Sequence, residues 1–260
     1  MSRSGILGRF DLTGRTALIT GAGMGIGRAF AHALGEAGAN VAVIDLDPHR
    51  AEQVVGELGE NGIAALAVGA DASDPEQIDG FVARVVAHFG RLDIAVNNAG
   101  INLNSAAEET TLDEWDRVFA VNTRGVFLAC QAEARAMFPH GYGKIVNTAS
   151  MASLIVPHPQ KQVSYNASKG AVVTLTRTLA AEWAPRGIRV NCMSPGIIRT
   201  ALIEQSPDLA PLVDEWVRSI PAGRLGEVED LQGGIVYLSS PASDYMTGHN
   251  LVIEGGQTLW

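Results

Sequence analysis

The 260-residue chain carries 47% hydrophobic and 18% charged side chains, enough apolar surface for a packed core and too much for a disordered segment. With 19 basic against 28 acidic residues its net charge is −9, which repels nucleic-acid phosphates and anionic membrane surfaces, so neither is expected as a partner. Two cysteines, Cys130 and Cys192, exclude a disulfide framework, no stretch has the ~18 continuous apolar residues of a membrane span, and a cytoplasmic protein is expected.

Aliphatic and β-branched runs recur in chain order at 16–20, 40–45, 63–68, 92–97, 144–148, 188–193 and 250–255. Helical patterns lie between them, among them 26–37, 75–89, 112–138 and 164–183, and a further helix begins near Pro48. Strands alternating with helices predict an α/β fold, a Rossmann-type doubly wound parallel sheet of seven strands with helices on both faces. No seam divides the chain, so residues 1–260 read as one domain. The long irregular stretch 195–226, rich in Pro and Gly around DLAPLVDEWVRSI, is expected to be a functional lid.

The first strand runs through Thr20 into Gly21, Ala22, Gly23, Met24, Gly25, Ile26 and Gly27, then into a helix. A glycine turn at a helix N-terminus presents backbone N–H groups and the positive end of the helix dipole, so it fits a pyrophosphate; a tight turn that merely packs is the plainer reading. The spacing Gly21-x-x-x-Gly25-x-Gly27 resembles the T-G-x-x-x-G-x-G turn of the short-chain dehydrogenase/reductase family. Asp45 closes the second strand, where a carboxylate accepts hydrogen bonds from both adenosine ribose hydroxyls and repels a 2′-phosphate. Arg28 is the one basic residue expected near the turn, so NAD is favoured over NADP. Asp45 or Asp47 alternatively caps the helix at Pro48.

Tyr165 and Lys169 are four apart in a helical pattern, so their side chains share a face. Proton transfer with an alcohol near neutral pH needs a phenol far below its usual value of about 10, and a cation about 4 Å away is expected to lower it by roughly three pH units. Ser150, after the fifth strand, is placed to hydrogen-bond a developing alkoxide.

Tyr-x-x-x-Lys, an upstream Ser and an Asn on the preceding long helix form the family's catalytic tetrad, here matched by Tyr165, Lys169, Ser150 and Asn122. The resemblance implies Tyr165 as general acid/base, Ser150 as substrate anchor, Lys169 as ligand of the nicotinamide ribose and tuner of the phenol, and Asn122 as holder of a relay water. It extends to Asp71, to Asn97-Asn98-Ala99-Gly100 and to Pro195-Gly196 with Thr200. By analogy Asp71 and Ala72 meet adenine, Asn98 the ribose, and Ile198 and Thr200 the carboxamide. Ser150 precedes Tyr165 by 15 residues instead of the usual 13, with Ser153 the weaker alternative anchor, and Glu254-Gly255-Gly256 replaces the closing D-G-G.

The inserted loop VPHPQKQVSYN resembles the branch acting on sugar alcohols and ketoses. His158, Gln160, Gln162 and Asn102 are its candidate hydroxyl ligands, with a solvated surface loop as the alternative. The reading is NAD-linked interconversion of a polyol and a ketose, or of a sugar acid. A lipid, steroid or 3-oxoacyl reductase is the runner-up, and a non-catalytic dinucleotide sensor is the reading from another class. The family implies a homotetramer. No His/Cys/carboxylate cluster has metal-ligand spacing, so no catalytic metal is expected.

Overall fold

The computed structural model describes residues 5–207 and 209–259. Strands β1 (Thr16–Thr20), β2 (Asn40–Asp45), β3 (Ala65–Gly69), β4 (Ile94–Asn97), β5 (Gly143–Thr148), β6 (Ile188–Pro195) and β7 (Asn250–Ile253) form one parallel sheet in the order β3-β2-β1-β4-β5-β6-β7. The chain reverses its direction of winding between β1 and β4. Their C-terminal ends therefore diverge and open the crevice in which such sheets take ligands.

Successive strand side chains point to opposite faces, and both faces are covered. Ala17, Ile19, Val41, Val43, Ile94 and Val96 pack under helices α1 (Gly25–Glu36), α2 (Pro48–Glu60) and the last helix, Glu229–Ser239. Leu18, Ala42, Ile44 and Ala95 pack under α3 (Pro75–Phe89) and the helices Val126–Met137 and Val163–Trp183. A sheet buried on both sides explains why its strands read as continuous aliphatic runs. At the start of α2, Asp47 accepts from the His49 backbone N–H, so Asp47 is the cap and Asp45 is left for another role.

The expected helix over 112–138 is three pieces: α4 (Leu112–Phe119), a π-helical segment Ala120–Gly125, and α5 (Val126–Met137). The wide turn fits a local crowding that periodicity does not show. A Cβ on Gly125 would stand 2.3 Å from the Ala72 carbonyl oxygen, so only glycine lets the segment lie against the loop after β3. The same turn puts Asn122 fully inside the protein, where a residue of this type on a helix would otherwise be expected on the surface.

Helix α6 (Val163–Trp183) follows the inserted loop. Between 195 and 226 the chain forms two short helices, α7 (Ala201–Glu204) and α8 (Val213–Ser219), before α9 (Glu229–Ser239). Trp216, Ile220 and Leu225 from this stretch bury against Met151 and Ile197 in a separate apolar cluster. The third, fourth and seventh strands cover 65–69, 94–97 and 250–253 instead of 63–68, 92–97 and 250–255; the last ends because Gly255 and Gly256 turn away with φ of +69° and +90°. Among the described residues no helix is long and apolar enough to cross a membrane.

Under the C-terminal ends of β4 and β5 lies a buried polar cluster. The Asn97 amide donates to Glu133 Oε2 (3.1 Å) and to Asn147 Oδ1 (3.0 Å), and Asn147 donates to Thr176 Oγ1 (3.0 Å). Burial pushes the Glu133 carboxyl up to about 8, with the Asn97 hydrogen bond acting the other way. An acid raised in the folded state stabilises least at high pH: its contribution is complete below the ordinary carboxylate value and is lost as pH rises towards 8. Glu133→Gln should therefore raise stability by roughly 3 kcal/mol at pH 7 and by little near pH 4, read by urea melts at the two pH values.

Candidate active site

The glycine turn leaves β1 and enters α1 with Met24 as its N-cap, and Met24 supplies no side-chain hydrogen bond to the first turn. Free N–H groups at Gly25, Ile26 and Gly27 thus face a cleft of about 460 Å³ that these residues line. The glycines are required by their surroundings. A Cβ on Gly21, where φ is +61°, would lie 2.9 Å from Ala99 Cα, and one on Gly27 would lie 2.1 Å from the Gly21 carbonyl oxygen. Thr20 Oγ1 accepts from the backbone N–H groups of Asn98 and Ala99 (both 3.1 Å), and the Asn98 amide donates back to the Thr20 and Gly21 carbonyls. The ends of β1 and β4 are locked together, which holds the turn open. These features fit a bound pyrophosphate.

Asp45 Oδ2 accepts from the Gly23 N–H at 2.8 Å, so the carboxylate sits on the outer edge of the turn. Arg28 is turned away into an ion pair with Glu57 (2.7 Å). The basic residue beside the turn is instead Arg50 on α2: it lies 3.3 Å from Asp47 and against the Met24 sulfur, and a Cβ on Gly23 would touch both Arg50 and Asp45. The sequence expectation of Arg28 as the local cation is thus corrected. A helix position five residues past the strand gives no sequence signal of facing the turn.

The chemistry converges at the other end of the cleft. Ser150 lies two residues past the end of β5 and caps a short 3₁₀ turn, its Oγ accepting from the Ala152 N–H (3.1 Å). Ser153, the alternative anchor, spends its hydroxyl on the Ser150 carbonyl (2.7 Å). Tyr165 and Lys169 project from one face of α6, and Lys169 Nζ donates to the Thr148 carbonyl at 2.7 Å while standing 5.6 Å from the centre of the Tyr165 ring. Asn122 lies behind them: its Oδ1 accepts from the Ile101 N–H, and its Nδ2 donates to the Ile101 carbonyl (both 2.9 Å) and to Ser168 Oγ. Ser168 in turn donates to the Tyr165 carbonyl, a link one helical turn from Tyr165 that residue type alone did not flag.

Burial pushes the Tyr165 phenol up, with the Ser150 hydrogen bond acting the other way, and burial pushes the Lys169 ammonium down to about 8. The expected lowering of the phenol by Lys169 is therefore not present in the site as it stands. Desolvation penalises both charged forms, and the lysine hydrogen-bonds a carbonyl instead of the phenol. Activation of Tyr165 requires a further positive charge nearby.

Asn98, Gly100, Asn102, Gln160, Gln162, Pro195, Gly196, Ile198 and Thr200 also line the cleft. Asn102 donates to Gln162 Oε1 (2.9 Å), Gln162 donates to Asn166 Oδ1 (2.9 Å), and Gln160 Oε1 accepts from the Trp216 indole (3.1 Å). His158 is not brought in. Its ring is exposed and pairs with Glu215 (3.0 Å), because the loop turns it outward while Pro157 and Gln160 face the cleft. Asp71 and Ala72 lie outside the cleft wall: Asp71 closes its own turn by accepting from the Ser73 N–H and hydroxyl, and Ala72 backs the π segment. The sequence did not flag Met151, Ile203, Leu209 and Trp216, which supply an apolar wall.

A glycine turn shaped for phosphate, opening on the buried Ser150 and Lys169 and the half-buried Tyr165 at the C-terminal edge of the sheet, is the arrangement of a dinucleotide-binding oxidoreductase. The family model described as Enoyl-(Acyl carrier protein) reductase matches residues 21–258. D-threitol dehydrogenase of Mycolicibacterium smegmatis is 40% identical over 250 residues, 96% of this chain and 95% of that enzyme. Among solved structures, a short-chain type dehydrogenase/reductase from Mycobacterium marinum superposes with a TM-score of 0.94 at 45% identity, covering 98% of this chain and 99% of that one. A gluconate 5-dehydrogenase from Burkholderia cenocepacia, solved with NADP and tartrate, has a TM-score of 0.91 at 38% identity, with 98% and 99% covered. The chain belongs to the short-chain dehydrogenase/reductase family and acts on CH–OH groups.

Proposed function

We propose that the protein is an NAD-dependent dehydrogenase that interconverts a polyol or related sugar acid with its ketose, within a single domain that the 195–226 segment covers as a lid. The observation that carries this reading is the meeting, in one cleft, of Ser150 and Tyr165 with the amides of Asn102, Gln160 and Gln162. A dinucleotide held along the cleft would supply the hydride acceptor and, when oxidised, added positive charge. Ser150 Oγ holds the reacting hydroxyl. Tyr165 removes its proton as the carbinol is oxidised and returns it in the reverse direction. Lys169 would hold the cofactor's ribose and keeps its positive charge near the phenol, and Asn122, fixed to Ile101, would hold the relay behind Lys169.

Asp45 supports NAD: its second oxygen accepts from the Asp47 N–H (3.0 Å), so the carboxylate is pinned where a 2′-phosphate would meet it. Asp45→Asn should raise NADP affinity about 10-fold, on the scale of one removed charge repulsion, and leave NAD within a few-fold, measured by fluorescence titration. The reading also includes a homotetramer and a cytoplasmic location, the latter supported by two buried free thiols.

A second reading, reduction of an acyl or steroid ketone, draws on the apolar wall of Met151, Ile203, Leu209 and Trp216. Absorbance of the reduced nicotinamide over a panel of polyols, sugar acids, simple alcohols, steroids and acyl ketones, with NAD and NADP in parallel, separates them. Polyol or sugar-acid turnover with NAD supports the first reading, turnover confined to the apolar substrates supports the second, and cofactor binding with no turnover returns the sensor.

A further inference from the structure

Polyols and sugar acids of one chain length differ by a single carboxylate, and the charges lining the cleft bear on which of the two it accommodates. Among the described residues lining it, Lys169 is the sole charged side chain. Its Nζ is buried and donates to Thr148, next to the reacting centre, so a substrate carboxylate held there would displace the carbinol from Tyr165. The remaining polar groups that line the substrate end are neutral amides and hydroxyls.

Of the cations near the lid, Arg218 on α8 is exposed, gives its Nε to the Asp214 carbonyl and lies outside the cleft lining, and two others are held in ion pairs. Arg199 lies between Glu227 (3.0 Å) and Glu204 (3.7 Å), and Arg224 pairs with Asp230 (2.6 Å). Lys161 sits between two cleft residues but is itself exposed and outside the lining. A carboxylate entering the cleft would lose water without gaining a counter-ion, and the chain's net charge of −9 adds repulsion on approach.

The amides are oriented for groups that both give and take hydrogen bonds. The indole N–H of Trp216 is a donor only, so it fixes Gln160 Oε1 as its acceptor and leaves the Gln160 NH₂ as the end available to substrate. Asn102 spends its Nδ2 on Gln162 and Asn104, leaving Oδ1 to accept. A hydroxyl satisfies both ends, whereas a carboxylate can only accept and meets Asn102 Oδ1 as a second acceptor.

Resting on the polyol or sugar-acid reading above, we propose that this cleft selects uncharged polyols over the aldonic acids of the same chain length, with Asn102 and Gln160 as the residues that read the hydroxyls.

The test is kcat/KM for matched pairs, galactitol against galactonate and threitol against threonate, in the native protein, Asn102→Arg and Lys161→Met. The expected result is a preference of about 100-fold or more for each neutral member, the scale of one unpaired carboxylate. Asn102→Arg, at an exposed position, should narrow that ratio at least ~10-fold by supplying the missing cation, and Lys161→Met should leave it unchanged. Equal or better turnover of the acids overturns the inference while leaving the polyol or sugar-acid reading in place, as does a selective loss of acid turnover in Lys161→Met. Failure of polyols and acids alike, with turnover of acyl ketones or steroids, overturns the underlying reading and this inference with it.

Discussion

Tyr165→Phe is expected to lower kcat for alcohol oxidation by about 10³-fold while leaving dinucleotide affinity within a few-fold. In the proposed mechanism the phenol oxygen, hydrogen-bonded to Ser150, exchanges the proton with the substrate hydroxyl, and removing it deletes the transfer without creating a cavity. The pH dependence follows from the directions in the site. Burial holds the phenol up, so at neutral pH it is protonated: the form needed for ketone reduction, and the wrong form for alcohol oxidation. Reduction should run with little pH dependence through neutrality and fall as the phenol ionises; oxidation should rise with pH over the same range. Lys169, held down to about 8, adds its positive charge fully only below that value, so the oxidative rise should flatten above it. Initial rates in both directions from pH 6 to 10 check this, and a phenylalanine variant that keeps a tenth of native kcat would remove Tyr165 from its role.

Gly27→Ala is expected to weaken dinucleotide binding about 100-fold or more and to destabilise the protein by roughly 2–4 kcal/mol. The new Cβ would stand 2.1 Å from the Gly21 carbonyl oxygen and 2.6 Å from Asn98 Nδ2, both parts of the lock between β1 and β4. Relief requires the turn to open, and opening it disperses the N–H groups proposed to hold phosphate. Isothermal titration with NAD alongside a thermal melt reads both effects. Gly80→Ala, where the added Cβ meets nothing within 4 Å, is the control and should leave affinity unchanged.

The sheet and its ligand end were legible in the sequence because burial on both faces leaves no choice but aliphatic strands, and the intervening helices carry their own stop signals. The extents Thr16–Thr20, Asn40–Asp45 and Pro75–Phe89 were readable to the residue for that reason. The glycine turn, Asp45 and the pair Tyr165 and Lys169 were legible because each is set by local spacing: one turn, one strand end, one helical repeat.

What local spacing does not carry was decided by tertiary contact. The π segment depends on Gly125 meeting the Ala72 carbonyl, about 50 residues earlier in the chain, and the burial of Asn122 comes with it. The direction of the Tyr165 shift is a sum of desolvation over the whole pocket, which no residue pair reveals. The inserted loop divides its residues, His158 outward to Glu215 and Gln160 inward to Trp216, through a partner on α8 more than 50 residues away. Arg50 reaches the turn only because α2 packs back along β2. The sequence by itself determined which elements form and which chemistry the strand ends hold, since both follow from patterns within about one turn or strand. The packed fold alone determined which side chains face the cleft and what charge they keep there, because burial and partner choice belong to the whole molecule.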